Sequence, residues 1–123
     1  MSNYWGYHLM LDCSNCNDNI KDRDTIYRFI KQLVNDIDMI AHGEPVIEYL
    51  LPGDPKQGYS LMQLITTSNI CAHFVESDNS SYFDVFSCKN FANETVINGY
   101  GQWIIVDLFL CYVLAIVCVI GFC

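Results

Sequence analysis

Short strand-like apolar runs recur along the first part of this chain and are interrupted by a helical stretch. Residues 5–12, WGYHLMLD, read as a first strand, and CSNCNDN after it reads as a turn. From Asp24 the period changes. Ile26, Phe29, Ile30, Leu33, Val34 and Ile37 recur at helical spacing and form one apolar stripe of an amphipathic helix. Asp22 or Asp24 can cap its start, and the glycine and proline of AHGEP stop it. Strand-like runs return at 45–51 (PVIEYLL), 59–66 (YSLMQLIT), 69–75 (NICAHFV) and 81–87 (SYFDVFS). GDPKQG at 53–58 is a loop, and the polar ESDNS at 76–80 is a turn. A β-α-β-β-β order with short connections predicts an α+β fold. The expected form is a two-layer α/β sandwich, with a mostly antiparallel sheet and helices on one face.

Residues 1–100 read as the domain and 101–123 as a hydrophobic C-terminal tail. Trp103–Cys123 carries one charge, Asp107. A membrane span takes about 20 apolar residues, so the run is long enough if Asp107 sits at the interface. No basic cluster flanks it to set an orientation. The plainer reading, preferred here, is a buried strand or helix that finishes the domain or forms a dimer contact.

Composition narrows the function. The 123 residues suit one domain, and the net charge of −8 argues against a nucleic-acid partner, which needs a basic patch. The seven cysteines are odd in number, and MSNYWGYHLMLD lacks the basic-then-apolar pattern of a secretory signal. Reduced thiols and a cytoplasmic setting are expected. Cys13-x-x-Cys16 has no second ligand pair, so it reads as turn cysteines packed under a loop. The histidines His8, His42 and His73 are the candidate bases.

The most polar of the strand-like stretches is LITTSNICAHF, residues 64–74. If the following turn centres on Asp78, cross-strand partners sum to 156. Ser68 then lies opposite Cys88, and His73 opposite Phe83. Opposed residues have Cβ atoms roughly 4.5–5.5 Å apart. A serine facing a thiol at the open end of a hairpin is a candidate catalytic pair; two small residues filling a strand end is the other reading.

Three segments together tip that balance. GYHLMLDCSNC, GYSLMQLITTSNICAHF and FDVFSC occur in order, with eight residues from Ser60 to Ser68, five to His73 and fifteen more to Cys88. Over about residues 4–97 the chain resembles the S-adenosylmethionine decarboxylase proenzymes of the short bacterial and archaeal type. The resemblance implies self-cleavage between Thr67 and Ser68, giving a β chain of 1–67 and an α chain of 68–123. It implies that Ser68 becomes a covalent pyruvoyl cofactor, which forms a Schiff base with the substrate amine. His73 is then the proton acceptor in processing, Ser60 supports processing by hydrogen bonding, and Cys88 is the proton donor after decarboxylation. The implied substrate is S-adenosylmethionine, the implied role spermidine synthesis, and the implied assembly a homodimer. The family's glutamate before the cleaved serine is Thr67 here, and YLLPGDPKQGYS carries an insertion, which leaves Tyr49 or Tyr59 as the candidate substitute for the family's adenine-stacking ring. Glu76 is the nearest acid after His73. Family members end in a second helix and a further strand; NFANETVING fits the start of that helix, whereas the tail resembles nothing in the family.

Two further expectations concern geometry. Ser68 and His73 are an odd number apart, so a regular strand points them to opposite faces, about 16 Å apart along the chain. Either the strand is bulged or His73 serves the Ser68 of a second subunit; the second is preferred. Asp84 breaks the apolar pattern of its strand and either supports Cys88 or faces water, and His8 sits on the first strand. The alternatives for function are a pyruvoyl-dependent decarboxylase of ornithine or arginine, and an unprocessed regulatory homologue.

Overall fold

The computed structural model describes the backbone of residues 4–104 and 111–120 and the side chains of residues 6–104. Its elements are β1 (Tyr4–Cys13), a short 3-10 turn (Asp18–Lys21), α1 (Arg23–Asp36), β2 (Val46–Leu50), β3 (Gly58–Ile65), β4 (Ser68–Val75), β5 (Ser80–Ser87), α2 (Asn93–Trp103) and β6 (Cys111–Ile120). The six strands form one sheet in the order β2-β3-β4-β5-β1-β6, and every neighbouring pair is antiparallel. The α+β sandwich expected from the sequence is therefore the observed architecture.

Strand alternation explains the layering. Leu9 and Leu11 of β1, Leu61 and Ile65 of β3, Ile70, Ala72 and Phe74 of β4, and Phe83 and Val85 of β5 are all buried. They meet the α1 stripe of Ile26, Phe29, Ile30, Leu33 and Val34, together with Val96 and Tyr100 of α2. Phe29 is the hub, with its ring 6.0 Å from Phe83 and 5.5 Å from Tyr100. The Tyr100 hydroxyl donates to Ser81 Oγ at 2.8 Å, so its one polar atom is satisfied inside the core. Burial drives its pKa strongly upward, because a phenolate there would lose its hydration. Asp22 is the N-cap of α1, but its carboxylate accepts from the Thr25 hydroxyl at 2.6 Å and not from a backbone N–H.

The segment after β1 closes the far end of α2. Asn17 Nδ2 and Asn19 Nδ2 both donate to the Trp103 carbonyl, at 3.0 and 2.7 Å. Those bonds satisfy an otherwise unpaired helix-terminal acceptor. Cys16 is buried beneath this segment and its thiol donates to Ser81 Oγ at 3.3 Å; burial raises its pKa. Cys13 is disulfide-bonded, which departs from the expectation of reduced thiols throughout.

The tail takes a definite form. Residues 101–103 continue α2, and 111–120 pair with β1 as a sixth strand. Among the described residues no helix is long and apolar enough to cross a membrane. Asp107, which the membrane reading would need at an interface, lies outside the described residues.

Candidate active site

The uncovered face of the sheet carries the first group. Glu48, Ser60, His73, Tyr82 and Asp12 are successive register partners across β2, β3, β4, β5 and β1. Opposed residues in a ladder point to the same side, so these five form one polar row. Ser60 Oγ lies 2.6 Å from His73 Nδ1, and His73 Nε2 lies 3.1 Å from the Lys56 carbonyl. A carbonyl only accepts, so the proton is assigned to Nε2, and Nδ1 accepts from the Ser60 hydroxyl. The ring is held at both nitrogens.

Gly58 makes that approach possible. Its φ is +155°, and a Cβ there would run into the Phe74 carbonyl of β4. Only glycine lets β3 begin this close to β4, which sets Ser60 directly opposite His73. Two openings flank the histidine. One, of about 510 Å³, is lined by Pro55, Lys56, His73, Ser77 and Tyr82 among others. The second, of about 330 Å³, is lined by Met10, Asp12, Cys71, His73, Tyr82 and Asp84.

The second group sits at the turn between β3 and β4. Ile65 pairs with Ser68, so Thr66 and Thr67 alone make the turn. The Thr67 carbonyl accepts the Cys88 backbone N–H at 3.1 Å. The Thr67 hydroxyl accepts from Ser87 Oγ at 2.7 Å and donates toward Met39 Sδ at 3.4 Å. Ser68 Oγ accepts from the Asn69 side-chain amide at 3.3 Å, and its own proton has no acceptor among the described residues. Cys88, exposed, follows directly on β5.

The hairpin register differs from expectation by one. Ser68 pairs with Ser87, not Cys88, and His73 pairs with Tyr82, not Phe83. The cause is the turn. Four residues, Glu76 to Asn79, connect Val75 to Ser80, with Asn79 at φ +53°. Partner numbers therefore sum to 155, and the turn centres between Ser77 and Asp78. Cys88 still reaches the turn, but through its backbone, one position past the end of the ladder.

Other sequence candidates fall elsewhere. Asp84 lies 3.6 Å from His8 Nε2 and opposite Cys71, not beside Cys88. Four residues of strand, about 13 Å, separate Asp84 from Cys88. Burial and then the nearby Asp84 charge raise the Cys71 pKa. Tyr49 and Tyr59 face each other with ring centroids 5.0 Å apart, on the side of the sheet opposite His73. The Tyr49 hydroxyl donates to Glu76, which raises the tyrosine's pKa. His42 is exposed on the loop before β2. Three residues were missed by the sequence reading: Ser87, Tyr82 and, through its carbonyl, Lys56. A hairpin register shifted by one would have found the first two; nothing local marks the third.

The turn fits a pyruvoyl group derived from Ser68. Its hydroxyl proton has no acceptor among the described residues, the preceding carbonyl is already hydrogen-bonded, and a thiol-bearing residue is adjacent. No curated protein matches the chain. The family model described as S-adenosylmethionine decarboxylase matches residues 7–102.

Proposed function

This chain belongs to the S-adenosylmethionine decarboxylase family, and we propose that it cuts itself between Thr67 and Ser68 and then decarboxylates S-adenosylmethionine to make the aminopropyl donor for spermidine. The observation that carries this reading is the held turn. The Thr67 carbonyl is polarised by the Cys88 N–H at 3.1 Å, next to a serine whose hydroxyl proton has no acceptor among the described residues.

The chemistry follows from those groups. Ser68 Oγ attacks the Thr67 carbonyl carbon, and the hydroxyl proton passes to the Ser68 nitrogen as the C–N bond breaks, leaving an ester. The Cys88 N–H meets the charge that develops on the carbonyl oxygen. His73 then takes the Ser68 α-proton, the Oγ–Cβ bond breaks, and chain 1–67 leaves with a carboxylate. Tautomerisation and attack by water release ammonia and leave the pyruvoyl group. Once present, its carbonyl supplies the electron sink that decarboxylation needs. The thiol of Cys88, an exposed residue one past the end of the ladder, returns the proton to the substrate carbon.

His73 serves a second copy in this scheme. β4 pairs without a break in register on both sides, so no bulge brings His73 round to its own Ser68. The uncovered face also exposes Val46, Leu50, Met62, Leu64 and Tyr82, each at least 44 % accessible. An apolar surface of that kind suits burial against another sheet. Asp12, Asp84 and the Tyr82 ring around His73 suit a substrate with a sulfonium, an amine and a purine.

Intact-mass measurement on purified protein, paired with carbon dioxide release from carboxyl-labelled S-adenosylmethionine, ornithine and arginine, tests the reading. Chains of 1–67 and a blocked 68–123, with release from S-adenosylmethionine alone, are expected. A single uncut chain contradicts the pyruvoyl mechanism; release from either amino acid instead contradicts the substrate.

A further inference from the structure

We propose that Ser87 is a positioning residue for the cleavage, a role that rests on the cleavage reading above: its hydroxyl clamps Thr67 so that the scissile carbonyl stays against the Cys88 N–H and within reach of Ser68. Ser87 has no exposed surface. Its Oγ donates to Thr67 Oγ1 at 2.7 Å and accepts the Lys89 N–H at 2.9 Å, so donor and acceptor are both used and its rotamer is fixed. It is also the register partner of Ser68. Opposed Cβ atoms in a ladder lie roughly 4.5–5.5 Å apart, so the clamp sits next to the attacking residue.

Residues 87 and 88 hold Thr67 at two points, the side chain through Ser87 and the carbonyl through Cys88. Thr67 Oγ1 passes its own proton toward Met39 Sδ, which closes the chain of contacts against the core. A peptide pinned at side chain and carbonyl cannot rotate away from the Ser68 hydroxyl. The acyl shift depends on that alignment, because it needs the nucleophile about 3 Å from the carbonyl carbon. The hydroxyl of Thr67 is thus a working part of this chain's turn, and Ser87 is its partner.

The test compares Ser87→Ala, Ser87→Thr, Thr67→Val and the Ser87→Ala/Thr67→Val double variant. Cleavage is followed by intact mass with and without hydroxylamine, beside thermal unfolding of each protein. Hydroxylamine cuts an ester but not an amide, so it reports whether the acyl shift has occurred. Loss of one such hydrogen bond is expected to slow Ser87→Ala by roughly tenfold. Ser87→Thr should recover most of the rate, Thr67→Val should match Ser87→Ala, and the double variant should be no slower than either single one. Hydroxylamine should not rescue Ser87→Ala, whereas it should cut His73→Ala, where the ester waits for its base. Wild-type rates in Ser87→Ala or in Thr67→Val, or rescue of Ser87→Ala by hydroxylamine, overturn the proposal. A wild-type chain that stays whole overturns the cleavage reading itself, and Ser87's role with it.

Discussion

The two faces of the sheet obey different rules. On the helix-covered side, position is set by packing: Leu9, Leu11, Ile70, Phe74 and Val85 are buried in the core that α1 and α2 cover. On the uncovered side, position is set by ladder register: Ser60, His73 and Tyr82 meet because their strands align, not because a core surrounds them. The turn at Thr67 and Ser68 belongs to the first side, with Thr67 resting on Met39, while the histidine that would process it belongs to the second. On the proposed reading, one chain would hold two half-sites and keep them apart along β4.

Replacing single groups separates the two sides, starting with the largest effect. Ser68→Ala removes the nucleophile, so no cut chain should form at any time by intact mass, while the unfolding midpoint stays near wild type. Phe29→Ala empties the hub between Phe83 and Tyr100; chemical denaturation should show a loss of about 3–5 kcal/mol, with the cleavage rate of the folded fraction unchanged. Ser60→Ala does the reverse. It leaves stability nearly intact but frees His73 Nδ1, and cleavage should slow about tenfold, the scale of one hydrogen bond. Smallest in the single chain is the Met62→Ser/Leu64→Ser pair. Both residues are about half exposed, so monomer stability should move by under about 1 kcal/mol, while sedimentation shows weaker self-association.

Much of this contrast was legible beforehand, for reasons that differ by region. The α1 stripe and the alternating strands are set by burial, which a pattern of apolar positions reports directly. Ser60, Ser68, His73 and Cys88 stood out because their spacing resembles a family motif. The hairpin register was not legible, because it turns on whether four or five residues make the turn and on Asn79 adopting a left-handed backbone. That one-residue difference hid Ser87 behind Cys88 and Tyr82 behind Phe83. Of the two readings of Asp84, support of Cys88 fails and a solvent-facing position holds; its partner His8 was not legible because it comes from β1, distant in sequence. For the tail, an unbroken apolar run reads alike as membrane span or sheet strand; residues 111–120 pair with β1 as a strand, in line with the plainer of the two readings.

The claim that the half-sites complete each other across two copies is tested by mixed dimers. Ser68→Ala and His73→Ala chains, separately tagged and co-expressed, are purified through both tags and weighed intact. The account expects the His73→Ala chain to be cut in the mixed dimer, by the histidine of its partner, and to remain whole in its own homodimer. A His73→Ala chain that stays whole in the mixed dimer contradicts it.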